Sequence, residues 1–483
     1  MTNYNHKYIF WVGAFATAFG VSCSTLKYEQ PNAVIPDTFR HGTNDSTAYL
    51  TKDMITNKSI ANIQYKEFFS DPILIDLIDK GIANNNDLKV AVRQIDIASM
   101  AYSQTKWNNV PTANLTLGAA SVNRPSDNSL NGMTVGQFLG QKYIADYSTT
   151  LSLSWEVDIW GKIKARKEGA LAVFLQTQEA AKAVQTRLVS EIARGYYNLL
   201  MLDLQIDVTE QNLKLVERTL NMIKVQQGVG LTTSLAVQQQ ETARDQILAT
   251  LPALKQTVVA QENILHILVG EVPGPVKRSG SLLGIKEPGY LAVGIPAELL
   301  ANRPDVKSEE LAIRQAFASV KVAKRSLYPS LNITAQGGLN SFEANQWFKV
   351  PGSLFGTAMG SLAQPLLNGK RLKTQFKQSE IMLEQSELKF KQTVLNALGE
   401  VSNYLTSIEA LQKQELITNG LVKRAEESVK TANVMFSNDL ATYLDVIVAQ
   451  NNKLQAELSI ANIRKQKLSA YVDLYRSLGG GWQ

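Results

Sequence analysis

The chain is poor in residues that do covalent chemistry. It holds three histidines, His6, His41 and His266, and a single cysteine, Cys23. One cysteine excludes an intramolecular disulfide and any cysteine-based metal site. No zinc-ligand spacing, nucleophile elbow, phosphate-binding loop or dinucleotide fingerprint is present. The acids are scattered between basic residues in helical segments, where ion pairing is their ordinary role. Two groups remain that could act by position: the Cys23 thiol, and Asp445, a carboxylate just after a turn composition. The reading is therefore of a non-enzyme with no cofactor or metal.

Cys23 follows Lys7 and an apolar run of 14 residues, 8–21. That run is too short to span a bilayer, which takes ~20 residues, and suits the apolar core of an export signal. A small-residue signal ending at a cysteine resembles the lipobox of bacterial lipoproteins, although Gly20 stands where leucine is usual. The resemblance implies that residues 1–22 are removed. Cys23 would then carry diacylglycerol and an acyl chain, with residues 23–67 as tether. The other reading is an ordinary signal with an incidental cysteine. The net charge of +6 is spread out and no basic cluster is interleaved with aromatics, which argues against nucleic acid.

The remaining chain reads as two tandem repeats, 68–270 and 295–483, joined by a Pro- and Gly-rich linker, 271–294. Residues 86–111 align with 304–329, each an amphipathic helix with alanines on one face (Ala91, Ala98, Ala101; Ala312, Ala316, Ala323) that ends at a strand-opening proline. PTANLTLGAAS matches PSLNITAQGGL, and DIWGK (158–162) matches LLNGK (366–370). A long helical region closes each repeat. Residues 165–227 alone would make a helix of ~95 Å at 1.5 Å per residue. Apolar residues at three and four spacing, such as Leu188, Ile192, Tyr196 and Leu199, give coiled-coil patterning. Each region is broken once, by Gly228-Val229-Gly230 and by Ser437-Asn438-Asp439, so each folds back as a hairpin.

The strands limit the function. In 147–157, Leu151, Leu153 and Trp155 share one face, and Ser152 and Ser154 the other. In the third strand Leu331 and Ile333 oppose Asn332 and Thr334. In the first, Leu115, Leu117 and Ala119 oppose Asn114 and Thr116. The fourth, 354–364, is ambiguous, because Phe355 and Met359 face away from Leu354 and Leu362. Such strands suit a soluble sheet or a transmembrane barrel. Export and polar helices favour the barrel, with Leu151, Leu153, Trp155, Leu331 and Ile333 toward lipid and Ser152, Ser154, Asn332 and Thr334 toward a water-filled lumen. Four strands cannot close, so several chains must share one barrel, and three would give twelve strands. A structural coiled-coil rod explains only the helices. A periplasmic adaptor should have one hairpin and more β structure.

Residues 295–305, IPAELLANRPD, resemble the LPxxLLxRRPDI signature of the TolC-like outer-membrane factors, with Asn302 in place of an arginine. The YPSLNI and DIWGK segments and the tandem order fit as well. The resemblance implies a mostly α protein with a small β part: long helical hairpins in an α-barrel, plus four strands per chain in a trimeric twelve-stranded β-barrel. It implies a lipid-anchored exit channel of a tripartite efflux system, working with a periplasmic adaptor and an inner-membrane pump. It also implies a periplasmic gate at the second tip, where Asp445 matches an axis-facing aspartate and Phe436 an aromatic. Val448 and Ala441 depart from the gate pattern, and Ala236 stands at the equivalent place on the first tip.

Overall fold

Each proline-initiated strand continues a helix, and this alternation builds the molecule. The computed structural model describes Tyr28, Pro36 and residues 63–126, 128–130, 133–134, 140, 142–288, 301–438 and 440–482. Cys23 and residues 295–300 of the signature lie outside them. Two short helices, α1 (Tyr65–Phe68) and α2 (Pro72–Asn84), precede α3 (Asn86–Trp107), capped where Leu88 N–H donates to the Asn85 side chain at 2.9 Å. β1 (Thr112–Asn123), β2 (Ile144–Val157), α4 (Lys162–Gly228) and α5 (Ser234–Val269) complete the first repeat. The second runs through α6 (Pro304–Arg325), β3 (Ser330–Ser341), β4 (Leu354–Ala363), α7 (Arg371–Ser437) and α8 (Tyr443–Ser477). The aligned helices α3 and α6 both have 22 residues, and α4 and α7 both have 67. At 1.5 Å per residue the long pair spans ~100 Å.

The strands form one antiparallel sheet in the order β1-β2-β3-β4. The helices beside them pack in the matching order α3-α4-α6-α7. Farther down, α5 and α8 join and the order becomes α5-α4-α8-α7. Both turns fall where the breaks are: Gly230 takes φ 80°, and Thr233 and Thr442 cap the returning helices. α5 passes through Pro252. The carbonyl left without a donor belongs to half-exposed Leu248, where water can reach it.

The largest apolar core lies where the short helices meet the upper hairpins. It contains Leu74, Ile78, Ile192, Tyr196, Leu199, Leu265, Phe390 and Tyr475, and the Leu188-Ile192-Tyr196-Leu199 row is buried there as its spacing requires. Separate clusters hold the middle of the hairpins (Val208, Val216, Ile247, Leu454) and their tips. Of the alanine faces, Ala98, Ala316 and Ala323 are buried and Ala101 is exposed.

Candidate functional site: the two-faced sheet, its junction and the hairpin tips

Paired residues of an antiparallel sheet share a face, so register decides the site. Ser152 pairs with Asn114 and Gln336, Ser154 with Thr112 and Thr334, and Glu156 with Asn332. Leu151 pairs with Leu115, Leu153 with Ala113 and Ala335, Trp155 with Ile333, and Val157 with Leu331. One face is thus hydroxyl- and amide-rich and the other aliphatic, across three strands. On β4 the register assigns Leu354, Gly356, Ala358, Gly360 and Leu362 to the aliphatic face, and Phe355, Thr357, Met359 and Ser361 to the polar one. This resolves the fourth strand, with two apolar side chains on the polar face.

One residue moves. A bulge sets Leu117 and Gly118 opposite Thr149, so beyond it Ala119 pairs with Ser148. Ala119 therefore lies on the polar face and not with Leu115 and Leu117. The extra residue reverses the alternation from that point on.

The strand-to-helix junction is tightly specified. β2 ends at Val157 and α4 begins at Lys162. Asp158 accepts from the backbone N–H groups of Ile163 and Lys164, each at 2.9 Å, satisfying two of the free donors of the helix. Gly161 takes φ 75°, a conformation that favours glycine, and its carbonyl accepts from Arg325. The Trp160 indole donates to Pro329 O at 2.7 Å, and Lys162 pairs with Glu156. The DIWGK turn of one repeat is thereby bound to the YPS turn of the other. At the lower end of the aliphatic face, the Trp155 indole donates to Asn109 O at 3.1 Å.

The two predicted tip residues separate. Asp445 is exposed. It forms a capping box, accepting from Thr442 N–H at 2.8 Å while its own N–H donates to the Thr442 hydroxyl. Hydrogen bonds from the Thr442 hydroxyl and backbone hold its carboxyl below the usual range. Above it along α8, Val448, Asn452, Gln455 and Ser459 form an exposed stripe at helical spacing. Phe436 is buried in the tip core with Leu220, Ile223, Ala236, Val237 and Val446, so its ring joins the two hairpins and does not line an open surface. Val229, Leu231 and Leu440 project from the turns.

Three charged clusters went unnoticed in the sequence. Arg303 is buried between Asp305 at 2.6 Å, Glu400 at 3.0 Å and the Ser477 carbonyl. Burial opposes its charge, but the two carboxylates outweigh this and raise its pKa, while Asp305 is lowered in turn. Glu287 and Glu415 meet Arg464 and Lys467, with Lys467 at 2.8 Å from Glu287 and 2.6 Å from Glu415. Burial would raise the Glu287 carboxyl, yet the two cations hold it below 4.5. Arg278 bridges Asp203 and Glu262. Both linker residues, Arg278 and Glu287, thus fasten the linker, one to each hairpin. Among the described residues no cluster could hold a metal ion.

The outer membrane efflux protein family matches residues 77–271 and 295–480, and the chain belongs to it. It is 27% identical over 421 residues to the solvent efflux pump outer membrane protein SrpC of Pseudomonas putida, covering 86% of this chain and 87% of that one. It is 25% identical over 459 residues to the probable outer membrane lipoprotein SilC of Salmonella typhimurium, covering 94% and 95%. Its fold is similar to that of a membrane protein of Pseudomonas aeruginosa (TM-score 0.82, 24% identity, 94% and 99% covered). It is also similar to the open state of the MtrE channel of Neisseria gonorrhoeae (TM-score 0.79, 21% identity, 95% and 98% covered). The protein is an outer-membrane efflux channel, a transport protein and not an enzyme.

Proposed function

We propose that three copies close the sheet into a twelve-stranded barrel, continued below by a tunnel of helices. One observation carries this reading. The sheet has two open edges, β1 and β4, and the helical layer ends at the matching helices, α3 and α7. Unpaired strand edges are not tolerated in lipid. Val90, Ile97 and Met100 on α3, and Met382, Leu388 and Leu395 on α7, are exposed apolar side chains on those outer helices. A neighbouring copy would cover both edges at once. The aliphatic face, with Leu151, Leu153, Trp155, Leu331 and Ile333, then meets lipid. Ser152, Ser154, Asn332 and Thr334 line the lumen.

The channel works as the exit duct of a tripartite pump, receiving substrate from an inner-membrane pump through a periplasmic adaptor. Residues 228–234 and 437–442, at the far end of the hairpins, are the surfaces an adaptor reaches endwise. Relatives named for solvent, toluene and antibiotic efflux align with 86% of this chain, which fits substrate choice being made upstream. Cys23 carries the lipid anchor, a reading supported by the lipoprotein name of SilC. Asp445 from three copies forms a carboxylate ring at the closed end, with Phe436 holding the tips together from within. Light scattering of the detergent-extracted mature protein tests the assembly. A mass of three chains, with ion conductance after reconstitution into planar bilayers, is expected; a monodisperse, non-conducting monomer would refute it.

A further inference from the structure

The connection between β3 and β4 does not close over the lumen. Residues 342–353 fold back across the aliphatic face. The Trp347 ring lies 5.7 Å from that of Tyr147 and stacks on Phe348 at 4.8 Å. It also sits 3.3 Å from the place a Cβ would take on Gly118. Tyr147 shares the aliphatic face with Leu151 and Leu153, and Gly118 stands in the bulge opposite Thr149 on the same side. The loop is built to hold this shape. Gln346 N–H donates to Glu343 O at 3.1 Å, Lys349 N–H to Gln346 O at 3.0 Å, and the Ser353 hydroxyl to Gln346 O at 2.6 Å. With Trp347 folded inward, Phe342, Phe348 and Val350 point outward, each about two-thirds exposed, with Lys349 exposed between the last two.

We infer that residues 342–353 are a lipid-binding shelf seated in the outer leaflet, at the boundary between headgroups and acyl chains. The inference rests on the lipid-facing assignment of the aliphatic face, with which the patch is continuous through Leu354, Leu117 and Tyr147. Its height is consistent. From Trp155 to Tyr147 a strand rises ~27 Å at 3.4 Å per residue, or ~21 Å of membrane normal at a barrel tilt of about 40°. Trp155 marks one border of the apolar band, and Trp347 with Phe348 marks the other. Aromatic rings settle at such borders. Internally bonded turns suit the site, because lipid offers no partners to free backbone groups. Lys349 can extend its ammonium to anionic headgroups while its stem stays apolar.

Nitroxide labels test this, since Cys23 is the sole native cysteine and the unmodified chain supplies the background. Phe348→Cys and Val350→Cys, labelled in the trimer reconstituted in phospholipid vesicles, are compared with Leu153→Cys and Ser152→Cys. The shelf predicts oxygen collision rates above those of a water-soluble nickel chelate at 348 and 350, at a shallower depth than at 153. Nickel access at 348 and 350 equal to that at 152, with 153 still in lipid, overturns the shelf alone. Nickel access at 153 as well overturns the face assignment beneath it. Gly118→Val, which drives a side chain into Trp347, should move the label at 348 toward water; an unchanged label would also refute the seating.

Discussion

Placing a charge at two adjacent positions of β2 gives the strongest test of the two-faced sheet. Leu151 pairs with Leu115 and Gly337 in an apolar row near the middle of its strand, while Ser152 pairs with Asn114 and Gln336 in a polar one. Their Cα atoms are ~3.8 Å apart, so any effect of general strand damage should be shared. An arginine on the lipid face near the bilayer midplane costs ~2–4 kcal/mol. Three copies in one barrel raise this to roughly 6–12 kcal/mol per assembly, comparable to the whole stability of an ordinary domain. Leu151→Arg should therefore abolish or strongly reduce heat-resistant trimer in outer-membrane extracts. Ser152→Arg lies on the polar face and loses only a weak bond from its hydroxyl to Asn114 O at 3.3 Å. It should assemble normally, and three added cations in the lumen should shift reversal potentials in a salt gradient toward anions. Equal trimer yields for the two variants, or an unchanged reversal potential for Ser152→Arg, would refute the face assignment.

At the gate, Asp445→Asn keeps an acceptor for Thr442 N–H and removes charge, whereas Asp445→Ala removes both. Single-channel recording should show reduced cation preference in both variants and raised closed-state conductance only in the alanine one; identical traces to wild type would dismiss the ring. Phe436→Ala empties the tip core at a cost of about 3–5 kcal/mol, and amide exchange should rise in residues 220–237 and 432–446 while the upper hairpins stay protected. The depressed Glu287 carboxyl contributes stability that is complete above 4.5 and is lost as pH falls through its lower folded value. Glu287→Gln should lower stability at pH 7 by roughly 2 kcal/mol and flatten the melting-temperature decline below pH 4.5; a parallel decline would remove the linker pin. Gly338→Ala puts a Cβ 1.9 Å from the Thr149 carbonyl oxygen, so trimer yield should fall without loss of helix by circular dichroism.

Much of this was legible because it was periodic. The helical hairpins declared themselves by three-and-four spacing in long runs that only Pro252 interrupts and by two turn compositions, and the bounds of the first long helix moved only from 165–227 to Lys162–Gly228. Three strands showed their faces by alternation. The fourth did not, because Phe355 and Met359 occupy polar-face positions and only pairing with β3 assigns them. The bulge at Leu117 was invisible for the same reason: its signal is the register with a neighbour, and nothing in the order of residues 112–123 displays it. Phe436 was assigned to the gate by resemblance alone, because its place in the tip core depends on Leu220, Ile223 and Val237 from the other repeat. The ionic pins at Arg303 and Glu287 join residues separated by 97 and 177 positions, Arg303 to Glu400 and Glu287 to Arg464, a distance no local pattern spans.

The repeat explains why so few devices suffice. Each half supplies two strands and the two long or short helices that continue them, so a single change of secondary structure converts a sheet in lipid into a helical layer in water without altering neighbour order. The conversion has to be abrupt, since lipid requires every strand group to be paired while water allows a helix to stand on its side chains alone. Asp158, Gly161 and Trp160 make it abrupt in the first repeat, and Gly369 and Lys370, both near φ 62–63°, make the corresponding turn in the second. The two junctions differ in one respect. The first is bonded to Arg325 and Pro329 within the chain, whereas Leu366 and Leu367 at the second are almost fully exposed. By the internal symmetry their counterpart is the turn at Asn109 and Pro111, which lies at the opposite edge of the same chain. Only a second copy can bring that turn to them, so the exposed leucines and the unpaired strand edges ask for the same neighbour.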